Sequence, residues 1–148
     1  MSFVITDARE ELLPQIAEIE RECFSLPWTE EMLRSQLDGE RCVFLAALEG
    51  GNVLGYAGLT FVLDEGYISN VAVAPAYRRR GAGGALIGEL IRRGRALRLA
   101  FLTLEVREGN EAAVALYFKH GFRVVGRRKG YYEKTREDAL LMTLELKK

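Results

Sequence analysis

The chain has 148 residues, 49% of them hydrophobic and 28% charged, and its 21 basic and 21 acidic side chains cancel to zero net charge. That length makes one domain, residues 1–148, able to bury roughly 70% of its unfolded surface without staples. Zero net charge gives no long-range attraction to nucleic acid or membrane, and neither a signal-peptide pattern nor a membrane-length apolar run is present, so the expected compartment is cytoplasmic.

In chain order, Phe3 to Thr6 reads as a short first strand. Pro14 suits the first turn of a helix running to about Phe24, with Ile16, Ile19 and Cys23 on one face. Ser25-Leu-Pro-Trp-Thr-Glu breaks that helix, and Thr29 caps a second one through about Leu37. Residues 42 to 48 and 53 to 62 are apolar runs joined by Glu49-Gly-Gly-Asn52, a hairpin signal. Gly66 to Ala74 forms the next strand, and a glycine-rich turn opens a helix from about 82 to 97. Phe101 to Val106 is a strand in which Leu102, Leu104 and Val106 alternate with Thr103 and Glu105. Asn110 caps a helix through His120, where Gly121 takes a left-handed cap and the imidazole faces the last carbonyls. Two strands, about 122 to 129 and 139 to 146, flank a final polar loop. Hairpins followed by a strand-helix-strand crossover predict an α+β fold with a mixed sheet, in the order β-α-α-β-β-β-α-β-α-β-β. Cys23 and Cys42 lie in apolar-periodic contexts and read as buried thiols, and with one histidine they lack any metal-ligand spacing; no metal is expected.

The most informative stretch is Val71-Ala-Val-Ala-Pro-Ala-Tyr-Arg-Arg-Arg-Gly-Ala-Gly-Gly-Ala-Leu86. A strand feeding a glycine turn at a helix N-terminus makes an anion site, because free N–H groups and the helix dipole both favour negative charge there. A nucleotide P-loop is excluded, since the spacing from Gly83 to Gly88 is followed by Glu89 and Leu90 rather than Lys and Ser or Thr. A dinucleotide fingerprint fits Gly81 and Gly83 but meets Leu86 at its third glycine, and six residues separate the turn from Pro75. Arg78-Arg79-Arg80-Gly81-Ala82-Gly83 fits Gln/Arg-x-x-Gly-x-Gly/Ala at every position, the pyrophosphate motif of the GNAT N-acetyltransferases. Its physical logic is sound: glycines let the backbone approach the phosphates, and charge-assisted N–H bonds contribute roughly 1.5–3 kcal/mol each. Three arginines without interleaved aromatics, in a neutral chain, argue weakly for nucleic acid.

The resemblance extends along the chain. Phe24-Ser-Leu-Pro-Trp-Thr-Glu, Val62-Leu-Asp-Glu65, Leu104-Glu-Val-Arg107, Asn110 with Ala112, Ala115, Leu116 and Tyr117, Gly121-Phe122 and Tyr131-Tyr132 fall in order from about residue 3 to 146. Together they resemble the RimI group, the ribosomal-protein-alanine N-acetyltransferases. The resemblance implies that strands four and five splay around the pantetheine arm of acetyl-CoA, the acetyl donor. It places that donor on the backbone of Val71, Ala72 and Val73, on the turn of Arg78, Arg79, Arg80, Gly81, Ala82, Gly83 and Gly84, and beside Asn110. It makes Glu105 the base and Tyr117 the general acid. By periodicity alone, Glu105 is a solvated strand residue and Tyr117 a core tyrosine; only the motif context selects them.

For the acceptor, Trp28 with Phe24, and Tyr131 with Tyr132, either wall a peptide groove or pack within their loops. Asp64 and Glu65 either meet an incoming cation or face water. Glu133 stands where relatives often carry proline, and the loop to Asp138 is short. The resemblance implies a protein N-terminus as acceptor, an alanine or serine of a small-subunit ribosomal protein, with no nucleic-acid or membrane partner. A lysine or small-amine acceptor, motivated by the acidic pair, and a non-catalytic acetyl-CoA-binding module are the alternatives.

Overall fold

The computed structural model describes residues 2–24, 26–132 and 136–147. Its elements are β1 (Val4–Asp7), α1 (Leu13–Cys23, entered through a 3-10 turn at Glu10–Leu12), α2 (Glu30–Asp38), β2 (Cys42–Glu49), β3 (Asn52–Val62), β4 (Glu65–Val73), α3 (Ala82–Ala96), β5 (Phe101–Arg107), α4 (Glu111–Lys119), β6 (Arg123–Tyr132) and β7 (Glu137–Glu145). The predicted order and α+β class hold. The last two strands are longer than the sequence pattern implies, and Arg127 and the Gly130 backbone N–H both bond Asp138 across the hairpin.

The local signals act as their chemistry requires. Pro14 sits in the first turn of α1, Thr29 Oγ1 accepts from Met32 N at 3.2 Å, and Asn110 Oδ1 accepts from Ala113 N at 3.2 Å. His120 lies with Nδ1 3.0 Å from the Leu116 carbonyl, next to Gly121 at φ 100°.

Seven strands form one mixed sheet in the order β1-β2-β3-β4-β5-β7-β6, with β4 and β5 its parallel pair. Leu86, Ile87 and Leu90 of α3 pack one face against Leu45, Leu59, Leu102 and Met142, and Tyr117 of α4 joins that core. Leu13, Ile16, Ile19 and Leu33 of α1 and α2 cover the other face against Phe44, Tyr56 and Ala72. Two features of β4 position the site. Its pairing with β5 covers only Glu65–Phe101, Gly66–Leu102 and Tyr67–Thr103, after which the strands part. Its pairing with β3 jumps from Leu59–Ile68 to Gly58–Asn70, leaving Ser69 as the extra residue of a bulge. The bulge reverses which side chains face which core: Ile68 and Val71 both pack toward α3, three residues apart.

Candidate active site

Where β4 and β5 part, a cavity of about 490 Å³ opens through the sheet. One wall is Ile68 to Val71 of β4, and the other is Leu104 to Arg107 of β5. Cys23 and Phe24 close it from α1, Asn110, Ala113 and Tyr117 from α4, and Tyr132 and Glu137 from the β6–β7 hairpin. Beyond Tyr67–Thr103 the two strands exchange no ladder bonds among the described residues, so the opening suits a polar, extended ligand.

Glu105 and Tyr117 reach this cavity from opposite faces. Leu104 and Val106 are buried toward α3 and α4, so alternation along β5 turns Glu105 to the α1–α2 side. There its Oε2 lies 2.8 Å from Arg128 Nε, in a pair whose side chains are 33% and 57% exposed. Tyr117 enters from the α4 side, buried and edge-on to Phe122 at 5.7 Å. Burial, with the nearby Tyr132, pushes its hydroxyl well above the ordinary phenol range, so it is a proton donor at any physiological pH. Burial likewise raises Tyr132, opposed by Arg107, whose guanidinium lies 4.5 Å over its ring.

At the entrance from α3, Arg79 has φ 67° and Gly81 φ 87°, and Gly81 is the cap of α3. Left-handed backbone at Arg79 and Gly81, leading into the first turn of α3, makes the kind of turn that gathers successive N–H groups into an anion-binding nest. Ala85 N bonds the Gly81 carbonyl, while the N–H groups of Ala82, Gly83 and Gly84 take no backbone acceptor among the described residues. A Cβ on Gly83 would stand 3.2 Å from Leu116, so its lack of a side chain also seats α4 close to the turn. The residues present therefore fit a pyrophosphate-bearing ligand. The arginines divide. Arg78 turns back to the Val73 carbonyl (3.1 Å) and the Cys23 sulfur (3.5 Å), Arg79 stays exposed, and Arg80 pairs with Glu49 beside the Tyr77 ring.

The acceptor-side candidates separate more sharply. Tyr132 and Phe24 line the cavity, and Tyr131 stacks edge-on to Tyr132 at 5.2 Å from an exposed position. Trp28 does not line it; the indole packs toward the α1–α2 core. Glu65 sits at the closed end, paired with Phe101 and accepting from the Tyr67 hydroxyl, and Asp64 lies 3.9 Å from Lys147. Neither acid faces the cavity, because the strands part only beyond Tyr67. Cys23 is half-buried in the cavity wall rather than buried in the core, and Cys42 is half-buried as well; both are free thiols. Burial raises the Cys23 thiol, with Arg78 opposing. Glu133 and Ser25 lie outside the described residues. Sequence reasoning missed Asn70, Arg107 and Glu137; a polar Ser69-Asn70 pair interrupting an apolar strand was the available signal for the bulge.

A sequence model of the acetyltransferase (GNAT) family matches residues 13–122. The chain belongs to the GNAT acetyltransferase family. It is an N-acetyltransferase that uses acetyl-CoA as donor. Within the family it is 39% identical over 136 residues to the [ribosomal protein bS18]-alanine N-acetyltransferase of Escherichia coli, covering 90% of this chain and 91% of that one. The Haemophilus influenzae protein of the same name is 38% identical over 135 residues, covering 89% and 91%. The crystal structure of the Escherichia coli ribosomal-protein-alanine enzyme superposes with a TM-score of 0.91 at 36% identity, over 99% of this chain and 96% of that one. The RimI likeness and the GNAT fold expected from the motifs are both upheld.

Proposed function

We propose that this GNAT enzyme, acting through its single domain, acetylates the α-amino group of a protein N-terminus, the N-terminal alanine of the small-subunit ribosomal protein that corresponds to bS18. The observation that carries this is the two-faced cavity, with a carboxylate on the α1–α2 side and a neutral phenol on the α4 side. The names of the relatives point to the same acceptor.

Acetyl-CoA enters along β4, with its pyrophosphate on the N–H groups of Ala82 to Gly84 and its pantetheine arm against Val71, Ala72 and Val73, and Asn110 flanks the thioester end. Arg79 is exposed beside the phosphates, and Arg78, bonded to the Val73 carbonyl, and Arg80, paired with Glu49, brace the turn. The acceptor approaches from the opposite face, past Phe24 and Tyr132. Glu105, working through water, takes the proton that leaves the attacking amine; the nitrogen forms its bond to the thioester carbonyl carbon, and the C–S bond breaks. Tyr117 supplies the proton for the departing thiolate. An α-amine at pKa about 7.7–8.0 holds a neutral fraction a few hundred times that of lysine at about 10.4, so a modest carboxylate base suffices for the terminus. Tyr131 borders the acceptor path. Trp28 and Glu65 act outside the cavity, Trp28 through the loop it anchors. With Asp64 and Glu65 turned away, the acidic pair that motivated a small-amine acceptor has no place in the channel. The acceptor so inferred places the enzyme in the cytoplasm, with neither nucleic acid nor membrane as a partner.

The test is thiol release from acetyl-CoA with three peptides of one sequence: a free N-terminal alanine, an N-blocked form, and an N-blocked form with an added internal lysine. Transfer to the free terminus alone supports the proposal; transfer to the lysine peptide, or to none, overturns it.

A further inference from the structure

Glu20, near the end of α1, is a charged side chain that the fold buries and the chemistry above leaves unused; it is 1% exposed. Its carboxylate accepts three hydrogen bonds from three separate parts of the chain. Oε1 accepts from Trp28 N at 2.8 Å, and Oε2 accepts from Asn70 Nδ2 at 2.7 Å and from the Tyr56 hydroxyl. A carboxylate has about four acceptor sites, so these donors nearly saturate it. A buried carboxylate is costly to desolvate, and a well-packed apolar residue in its place is often as stable. Stability alone therefore does not account for a charge at this position.

What the three donors have in common is location. Asn70 belongs to the β4 bulge and lines the cavity. Trp28 lies in the α1–α2 loop one residue before the Thr29 cap, and the first residue of that loop, Phe24, lines the cavity from the facing side. Tyr56 lies on β3 directly opposite Ala72 of β4. Burial first, and then its bond to Glu20, raises the Tyr56 hydroxyl far above the ordinary phenol range, so it remains a donor. The carboxylate thus bridges a loop and a bulge that flank the α1–α2 side of the opening.

We propose that Glu20 is a positioning residue for the acceptor: one carboxylate clamps the α1–α2 loop at Trp28 to the β4 bulge at Asn70, and so sets the width of the channel between Phe24 and β4. The clamp rests on the assignment of that side of the cavity to the acceptor. The three donors to Glu20 all lie outside the pyrophosphate turn at Arg79 to Gly84, so donor affinity is expected to be independent of the clamp.

Trp28 is the single tryptophan of the chain, so its fluorescence reports on the loop without any acceptor present. Glu20→Gln keeps the side-chain volume but leaves one acceptor oxygen, so its amide NH₂ is set against a donor, either the Trp28 N–H or the NH₂ of Asn70. The expected result is at least a doubling of acrylamide quenching of Trp28 and about a tenfold rise in KM for the free N-terminal peptide, with kcat and acetyl-CoA Kd within twofold of wild type. Adding Asn70→Asp exchanges the amide and the carboxylate, which restores donor-to-acceptor matching and returns quenching and KM to near wild type. Tyr56→Phe, which removes one hydroxyl, moves both readouts in the same direction and serves if Glu20→Gln does not fold. A lowered melting temperature with quenching and KM unchanged, or no rescue by Asn70→Asp, overturns the proposal. A wild-type protein that acetylates no peptide overturns the acceptor assignment instead, and the quenching series still decides whether Glu20 holds the loop.

Discussion

Glu105→Gln separates catalysis from stability, because the structure predicts very different magnitudes for the two. The substitution keeps the shape of the side chain and removes its charge and its basic oxygen. The ion pair it breaks, with Arg128 at 2.8 Å, joins side chains that are 33% and 57% exposed. Such a pair contributes at most about 1 kcal/mol, which shifts the melting temperature of a chain of this size by roughly 2–4 °C. A general base contributes about 10²–10⁴-fold, equivalent to about 2.7–5.5 kcal/mol of barrier. The expected outcome is therefore a kcat at least about 100-fold lower in a protein that melts almost normally. Acetyl-CoA binding should be unchanged, since the phosphate turn lies at α3 and not on β5. The assay is thiol release at saturating acetyl-CoA and peptide, with calorimetric titration of acetyl-CoA as control. The deficit should also shrink as pH rises above about 8, where the α-amine is already mostly neutral and only the proton lost on attack remains to be removed. A kcat within threefold of wild type from pH 6.5 to 8.5, or a loss of turnover fully matched by loss of donor binding, would refute Glu105 as the base.

Tyr117→Phe keeps the ring contact with Phe122 and should lower kcat about 100-fold with donor affinity intact. Its pKa is raised in the folded state, so the phenol favours folding fully below the unfolded pKa of about 10 and loses that contribution as pH rises toward the folded value. The stability of wild type relative to Tyr117→Phe in urea melts should thus fall between pH 8 and pH 11; a constant difference would contradict the burial argument. Gly81→Ala meets no atom within 4 Å, so its cost is the left-handed backbone at φ 87°, about 1–2 kcal/mol. It should also weaken acetyl-CoA binding about tenfold or more by disturbing one charge-assisted bond at roughly 1.5–3 kcal/mol; calorimetry checks the affinity and thermal melts the stability. Leu90→Ala, at a fully buried position between α3 and the sheet, should lose about 2–5 kcal/mol in urea unfolding, with kcat of the folded protein unchanged.

Much of this protein was legible in the linear chain. Pro14, Thr29, Asn110 and Gly121 act on their own neighbours within a few residues, so their effects need no knowledge of the rest of the fold. The same is true of the Arg78–Gly84 turn, whose anion-binding geometry is set by local backbone angles, and of the period-two pattern that sorts Leu104 from Glu105. These local rules, with the motif order, determined the element sequence, the family and the proposed donor turn.

What lines the cavity was decided only by the tertiary structure. Glu65 reads as one of an acidic pair before a strand and Glu105 as an acid on a strand, yet the point at which β4 leaves β5 puts one at the closed end and the other in the cavity. From the sequence Trp28 either walls a groove or packs within its loop, and the fold takes the second course, turning the indole onto the α1–α2 core and leaving Phe24 at the opening. Glu20 and Asn70 stand 50 positions apart and meet because α1 crosses the face of a sheet whose β4 strand carries an extra residue. Period and propensity act between neighbours in sequence, whereas a strand's point of departure, a bulge's direction and a buried carboxylate's donors are set by contacts between distant segments, which exist only once the sheet has closed its two cores.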